Sequence, residues 1–171
     1  MEIVTARLKL RTARPDDLAA IHAIMARADA MRWWSSPPHE TTDQTRTWLD
    51  SMIANGPEHP DFIIEFGGKV IGKAGFWAPP DIGYILHPDY WGRGLATEAL
   101  TAAIDHIFAV QTFDRLTADV DPGNTASIRL LGRLGFAKTG QAERTMQVGD
   151  AWVDSVYYGL QRRVWESRRK A

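Results

Sequence analysis

The 171-residue sequence contains no cysteine, which excludes a disulfide scaffold, a zinc–thiolate site and thiol catalysis together. Histidine is sparse: there are five, none in HExxH spacing, so no catalytic metal centre is expected. No apolar run approaches the ~20 residues needed to cross a bilayer. The opening MEIVTARLKLRTARPDD lacks a basic segment followed by an apolar stretch, so no signal peptide is expected. An excess of one charge is also missing, since 20 Lys plus Arg face 21 Asp plus Glu for a formal net charge of −1. Such a chain has no overall basic field to hold a phosphate backbone, and neither nucleic acid nor a membrane is an expected partner. What is present, 44% hydrophobic and 24% charged residues, is an ordinary globular composition. The expectation is one cytoplasmic domain over residues 1–171, with its core in about 3–165.

The hydrophobic pattern predicts an α+β fold around one mixed, mostly antiparallel sheet. Residues 3–13 read as a strand, because Leu8 and Leu10 alternate with Lys9 and Arg11. Pro15, Asp16 and Asp17 start a helix that Leu18, Ile21, His22 and Met25 carry to about Asp29. The stretch MRWWSSPPHET reads as a loop. Thr41 or Thr42 caps a second helix, which Asn55-Gly56-Pro57 ends. DFIIEF, Gly67-Gly68 and KVIGKAGFW make a hairpin, and DIGYILH is a further strand after Pro79 and Pro80. Leu95, Ala99, Leu100, Ala103, Ile104, Ile107 and Phe108 then switch to helical period. RLTADVD is a strand, SIRLLGRLGF a short helix ended by Gly135, and the remainder a long hairpin turning at Gly149-Asp150. The basic end RRVWESRRKA reads as a solvated tail or strand end. The predicted order is β-α-α-β-β-β-α-β-α-β-β.

The segment that carries chemistry is HPDYWGRGLATEAL, residues 87–100. A strand enters a loop with Gly92 and Gly94, and a helix begins at once. Glycine lets the backbone turn tightly and lets a ligand approach without a Cβ in the way. The unpaired N–H groups of the helix start, at the positive end of its dipole, form an anion site. A phosphate or pyrophosphate is therefore expected on the amides of about residues 92–97. A P-loop is excluded because Leu95-Ala96 follows Gly94 where Lys and Ser or Thr are needed. A dinucleotide fingerprint fits poorly, with Thr97 at its third small position and three meander strands ahead of the loop.

Trp91-Gly92-Arg93-Gly94-Leu95-Ala96 resembles the acetyl-coenzyme A loop [Q/R]-x-x-G-x-[G/A] of the GNAT acetyltransferase superfamily. Trp91 departs from the usual Gln or Arg, and a Trp there is similar to the ribosomal-protein N-terminal alanine and serine acetyltransferases. Asn124-x-x-Ser127-x-x-Leu130, followed by Leu134-Gly135-Phe136, resembles a second family segment, and the element order matches from residue 3 to about 160.

The resemblance implies acetyl transfer from acetyl-CoA to a primary amine by direct attack in a ternary complex, with acetyl-CoA as co-substrate and no metal. The pyrophosphate would sit on Gly92, Arg93, Gly94, Leu95, Ala96 and Thr97. The pantetheine arm would pair with Ile85, Leu86 and His87, and Asn124 would meet its far side. An N–H near Leu86 or His87 would polarise the thioester carbonyl. Asp81, where the family commonly carries Glu in E-I-G-Y, is the favoured base, with Glu65 on the neighbouring strand as the alternative and a bridging water as an option. Ser127 is the acid that the resemblance places best, because Leu131 and Gly132 stand where other branches carry a Tyr. Trp33 and Trp34 would line the acceptor pocket or pack in the core, and Trp77 has the same two readings. The direction of the Tyr84 ring is not set by spacing, while Arg93 and Arg129 are candidate phosphate contacts or solvated side chains. The acceptor would be a protein N-terminus or a small-molecule amine. The last hairpin could pair two copies into a homodimer. Two rivals remain at this level: a non-catalytic acyl-CoA-binding or sensing domain, and use of another acyl donor such as succinyl-CoA.

Overall fold

The computed structural model describes residues 1–56 and 58–170. Its sheet has eight strands: β1 (Glu2–Val4), β2 (Leu8–Arg11), β3 (Asp61–Phe66), β4 (Lys69–Ala78), β5 (Asp81–Leu86), β6 (Arg115–Val120), β7 (Ala137–Val148) and β8 (Ala151–Gln161). They lie in the order β1-β2-β3-β4-β5-β6-β8-β7. Neighbours are antiparallel except β5 and β6, which run parallel. The β3–β4 turn uses Gly67 and Gly68 at φ +56° and +78°, the mirror-image turn that follows the twist of a hairpin.

Helices α4 (Leu95–Val110) and α5 (Thr125–Leu134) cover one face over a core that includes Leu10, Phe62, Ile104, Leu116 and Leu160. Helices α1 (Leu18–Met25), α2 (Ala28–Met31) and α3 (Thr42–Ala54) cover the other, where Ile21, Ile24, Met25, Met31 and Met52 pack on Ile63 and Ile85. Thr41 is the α3 cap: its side chain accepts from Gln44 N–H, while the Gln44 side chain accepts from Thr41 N–H. The helix ends at Ala54, with Gly56 at φ +65°, and Pro57 of the expected stop lies outside the described residues.

Three expectations are corrected. Residues 3–13 form two strands, because Thr5, Ala6 and Arg7 turn the chain back: Thr5 N–H donates to Leu8 C=O at 2.9 Å. That turn has no glycine or proline to announce it. The helix expected up to Asp29 breaks after Met25, where Arg27 takes extended angles before Ala28–Met31 starts again; Asp29 and Met31 both belong to this second piece. The basic end is α6 (Arg162–Lys170), docked rather than solvated. Trp165 is 4% exposed and donates from Nε1 to Asp105 Oδ1 at 2.8 Å, and Arg169 pairs with the same carboxylate. One buried aromatic among charges at helical spacing is the whole sequence signal.

Strands β5 and β6 share one register pair, Asp81 with Thr117, reinforced by Thr117 N–H donating to Pro80 C=O at 3.0 Å. Beyond it they part, and a gap opens toward their carboxyl ends, where β5 leads to α4 and β6 leads to α5. The carboxyl ends of parallel strands at such a switch are where ligands bind in open sheets. The buried Lys73 braces the β5 arm from below: Nζ is 2.8 Å from Asp61 Oδ1 on β3 and donates to Gly83 C=O on β5 at 3.4 Å.

Candidate active site

The gap takes its donors from β5. His87 N–H donates to Ile71 C=O on β4 at 2.8 Å. Alternation along an antiparallel pair then turns the N–H groups of Ile85 and Gly83 to β4 as well. Those of Tyr84 and Leu86 face the gap, while Ile82 lies at the bridge between Asp81 and Thr117. Of the expected donors, Leu86 is presented and His87 is not, and Ile85 instead packs its side chain among α1–α3. Leu86 C=O accepts from Trp91 Nε1 at 2.9 Å, so the tryptophan at the divergent position of the loop fixes the end of β5.

The loop then turns through Gly92 (φ +71°) and Gly94 (φ +74°) into α4. Gly94 is the N-cap, has no side chain to close the helix, and lies in a left-handed conformation that disfavours other residues. The first backbone bond of the helix is Glu98 N–H to Gly94 C=O. The N–H groups of Leu95, Ala96 and Thr97 therefore precede the first turn's own bonding, as a phosphate site needs. Arg93 sends its guanidinium away, 4.9 Å from the Phe66 ring centroid and 5.5 Å from that of Tyr90. The cation beside the loop is Arg7, from the β1–β2 turn, which pattern reading missed. Arg7 Nε pairs with Glu98 at 2.6 Å, its Nη1 donates to Arg93 C=O at 2.9 Å, and its Nη2 lies 3.6 Å from where a Gly94 Cβ would stand. An exposed arginine in an unannounced turn leaves no local signal.

On the β6 arm, Asn124 caps α5, its Oδ1 accepting from Ser127 N–H at 3.1 Å. The Ser127 hydroxyl meets the Tyr84 hydroxyl across the gap. Burial pushes the Tyr84 phenol up to about 12. Arg129 is exposed on the next turn.

At the base of the gap, Asp81 accepts from the Thr117 hydroxyl. Asp119 lies two residues further along β6, on the same face as Thr117. Burial pushes its carboxyl up, and the charge of Asp81 adds to that. A carboxyl raised this way is a better base than an ordinary aspartate. Asp119 is exposed, at the outward phase of RLTADVD that alternates with the buried Leu116, Ala118 and Val120, so nothing in the pattern singles it out. Glu65 is elsewhere, between Lys9 at 2.7 Å and Arg11 on the β2–β3 side. Burial raises its carboxyl, and the hydrogen bonds from Lys9 and Arg11 outweigh that to hold it low. A carboxylate committed to two cations two strands from β5 is not placed to take an amine's proton.

The tryptophans gather at the mouth. Trp34 makes edge contacts with Trp48 at 6.3 Å and Trp77 at 6.0 Å, and Trp77 is half-exposed. Trp33 lies against the β6–α5 loop: a Cβ on Gly123 would stand 2.9 Å from its ring and 3.1 Å from Asp121 Oδ1. Trp34 therefore packs while Trp33 borders the opening, a division that adjacency in sequence hides. Among the described residues no three potential metal ligands cluster, and no helix is long and apolar enough to cross a membrane.

The acetyltransferase (GNAT) domain family model matches residues 7–137. Spermidine N(1)-acetyltransferase of Escherichia coli K12 is 31% identical over 143 residues, covering 78% of this chain and 75% of that protein. The [ribosomal protein uS5]-alanine N-acetyltransferase of the same organism is 38% identical over 88 residues, 52% of this chain and 45% of that one. Spermidine N-acetyltransferase from Vibrio cholerae, solved with CoA and spermine, superposes with a TM-score of 0.82 at 20% identity, covering 95% of this chain and 99% of that one. The sheet parted between β5 and β6, the uncapped start of α4 and the family match over most of the chain lead to one conclusion: the chain belongs to the GNAT acetyltransferase family and is an N-acetyltransferase that transfers acetyl from acetyl-CoA to amines.

Proposed function

We propose that residues 1–171 act as one catalytic domain that acetylates a cationic amine directly, with acetyl-CoA and acceptor held together in the gap. The observation that carries this reading is the single register pair between β5 and β6, which leaves one strand edge free above a carboxylate. The pyrophosphate rests on the amides of residues 92–97, with Arg7 rather than Arg93 beside it. The pantetheine arm runs along the free edge of β5 at Tyr84 and Leu86, with Asn124 across the gap. Leu86 N–H donates to the thioester oxygen, an interaction worth about 3 kcal/mol for one such donor in a dry site.

The amine enters between the tryptophans and the carboxylates. Asp81, Asp119 and Asp121 have no Lys or Arg within ion-pair distance among the described residues, which suits a cation arriving there. Trp33 adds a ring face that already holds Arg32 at 4.7 Å. The arriving ammonium first gives one proton to water, which leaves the lone pair that attacks, and Asp81 takes the second proton from nitrogen as the C–N bond forms, when that ammonium is most acidic. Ser127 gives a proton to the departing sulfur. This assignment favours polyamines over a protein N-terminus, because polyamines carry further positive charge to the same carboxylates. The enzyme is assigned to the cytoplasm, where its co-substrate is made. A homodimer through the β7–β8 hairpin is assigned on its exposed Trp152 and Tyr157.

Release of CoA from acetyl-CoA against polyamines, N-terminal Ser and Ala peptides, amino acids and aminoglycosides tests the acceptor. Turnover led by polyamines, falling about a hundredfold in Asp81→Asn, is the expected result. Preference for peptides, or full activity in Asp81→Asn, overturns the assignment.

A further inference from the structure

One contact across the gap has no part in the roles above. Tyr84 leaves β5 on the face opposite Asp81 and Ile85, and its hydroxyl meets Ser127 Oγ in the first turn of α5. Among the described residues the phenol has no other hydrogen-bond partner. Both residues are partly buried and either hydroxyl can donate in this contact; donation from Tyr84 to Ser127 gives the phenol O–H the acceptor whose lack would be penalised. The phenol keeps its proton throughout the neutral range, because burial opposes its ionisation. Ser127 is only partly buried, and its oxygen is now occupied as an acceptor. Its own proton has no acceptor in the protein among the described residues, and the free side of the hydroxyl is the gap.

We propose that Tyr84 is a positioning residue for acyl transfer: by donating to Ser127 Oγ it fixes the serine hydroxyl with its proton directed into the gap, at the thioester sulfur. The inference rests on the assignment of Ser127 as the acid. As the amine nitrogen bonds to the carbonyl carbon, the carbonyl pair moves to oxygen. When that oxyanion collapses, the C–S bond breaks and its pair goes to sulfur. Sulfur takes the Ser127 proton, nitrogen loses its extra proton to Asp81, and water returns one proton to Ser127. Tyr84 keeps its proton throughout and stabilises the serine oxygen while that oxygen is short of one. Leu131 and Gly132, one turn along α5, have no proton to offer.

The test is a double-mutant cycle of Tyr84→Phe and Ser127→Ala, with kcat and the KM for acetyl-CoA measured for each. Phenylalanine keeps the ring and removes the hydroxyl. Ser127→Ala is expected to lower kcat about a hundredfold and Tyr84→Phe about tenfold, both with KM within about twofold. The double variant is expected to match Ser127→Ala, because Tyr84 acts only through that hydroxyl. An unchanged kcat in Tyr84→Phe overturns the inference. So does an equal loss from Tyr84→Phe in both backgrounds, which would mark a packing role. An unchanged kcat in Ser127→Ala removes the acid assignment and the inference with it, a failure visible in that single variant.

Discussion

Helices α4 and α5 begin in the same way and are used in opposite ways. Each follows one of the two parallel strands, and each starts at the rim of the gap. The α5 start is closed by its own chain, with Asn124 Oδ1 on Ser127 N–H. The α4 start has only Gly94, which offers no side-chain oxygen, so its amides stay available to an anion. A helix start is a binding site when its cap is missing and a structural joint when its cap is present. In the proposed reaction the pair divides the labour of the gap, with binding energy for the phosphates on one side and an oriented hydroxyl on the other.

The sharpest way to break this comparison is to give α4 the acid it lacks. Gly94→Glu places a carboxylate at the anion site, in a left-handed conformation, and is expected to weaken acetyl-CoA binding more than about a hundredfold by calorimetry. Unchanged affinity would remove the loop from the site. The converse is to uncap α5. Asn124→Ala is expected to lower stability by about 1 kcal/mol in denaturant unfolding, and Asn124→Asp to restore it, since either oxygen accepts from Ser127 N–H. If Asn124→Asp still binds acetyl-CoA weakly, the amide of Asn124 also touches the ligand.

A smaller effect separates the tie behind α4 from its open face. Burial raises the Glu98 carboxyl, but hydrogen bonds from Thr5 and Arg7 outweigh it and hold the carboxyl below its usual value. A depressed folded value means that Glu98 contributes stability above its unfolded value, near pH 4.5, and loses it as pH falls through the folded one. Glu98→Gln is expected to lower the melting temperature by about 2–4 °C at pH 7. The difference should close toward pH 3, and a constant difference would mean that the charge is not the cause.

Much of the fold was legible because it depends on local periods. Leu95 to Phe108 at helical spacing and DFIIEF-Gly67-Gly68-KVIGKAGFW as a hairpin are each readable within a short window. The glycine turn into α4 was legible for the same reason, since two glycines before a helix act on the backbone beside them. The rest depends on partners distant in sequence. The turn at Thr5 is closed by the threonine hydroxyl on Leu8 N–H and tied down by Glu98, 93 residues away, without a glycine or proline. The final helix is defined by Trp165 reaching Asp105. In the site, whether Leu86 or His87 faces the gap is a matter of phase, and β4 sets that phase through Ile71. Glu65 and Asp81 are both carboxylates on strands of one meander, β3 and β5. Only the cations around Glu65 and the bare gap beside Asp81 tell them apart.

By itself, then, the sequence determined the order of elements from β3 to β8, the glycine turn into α4 and the family, because these rest on residue types within a few positions of each other. The tertiary structure alone decided which strand parts from which, which N–H groups of β5 are free, that Arg7 lies beside Gly94 and Asp119 near Asp81, and that Tyr84 meets Ser127. The physical reason is that hydrogen-bond direction and burial belong to pairs of segments. The far member of each pair is brought into place only by packing the sheet between its two helical layers.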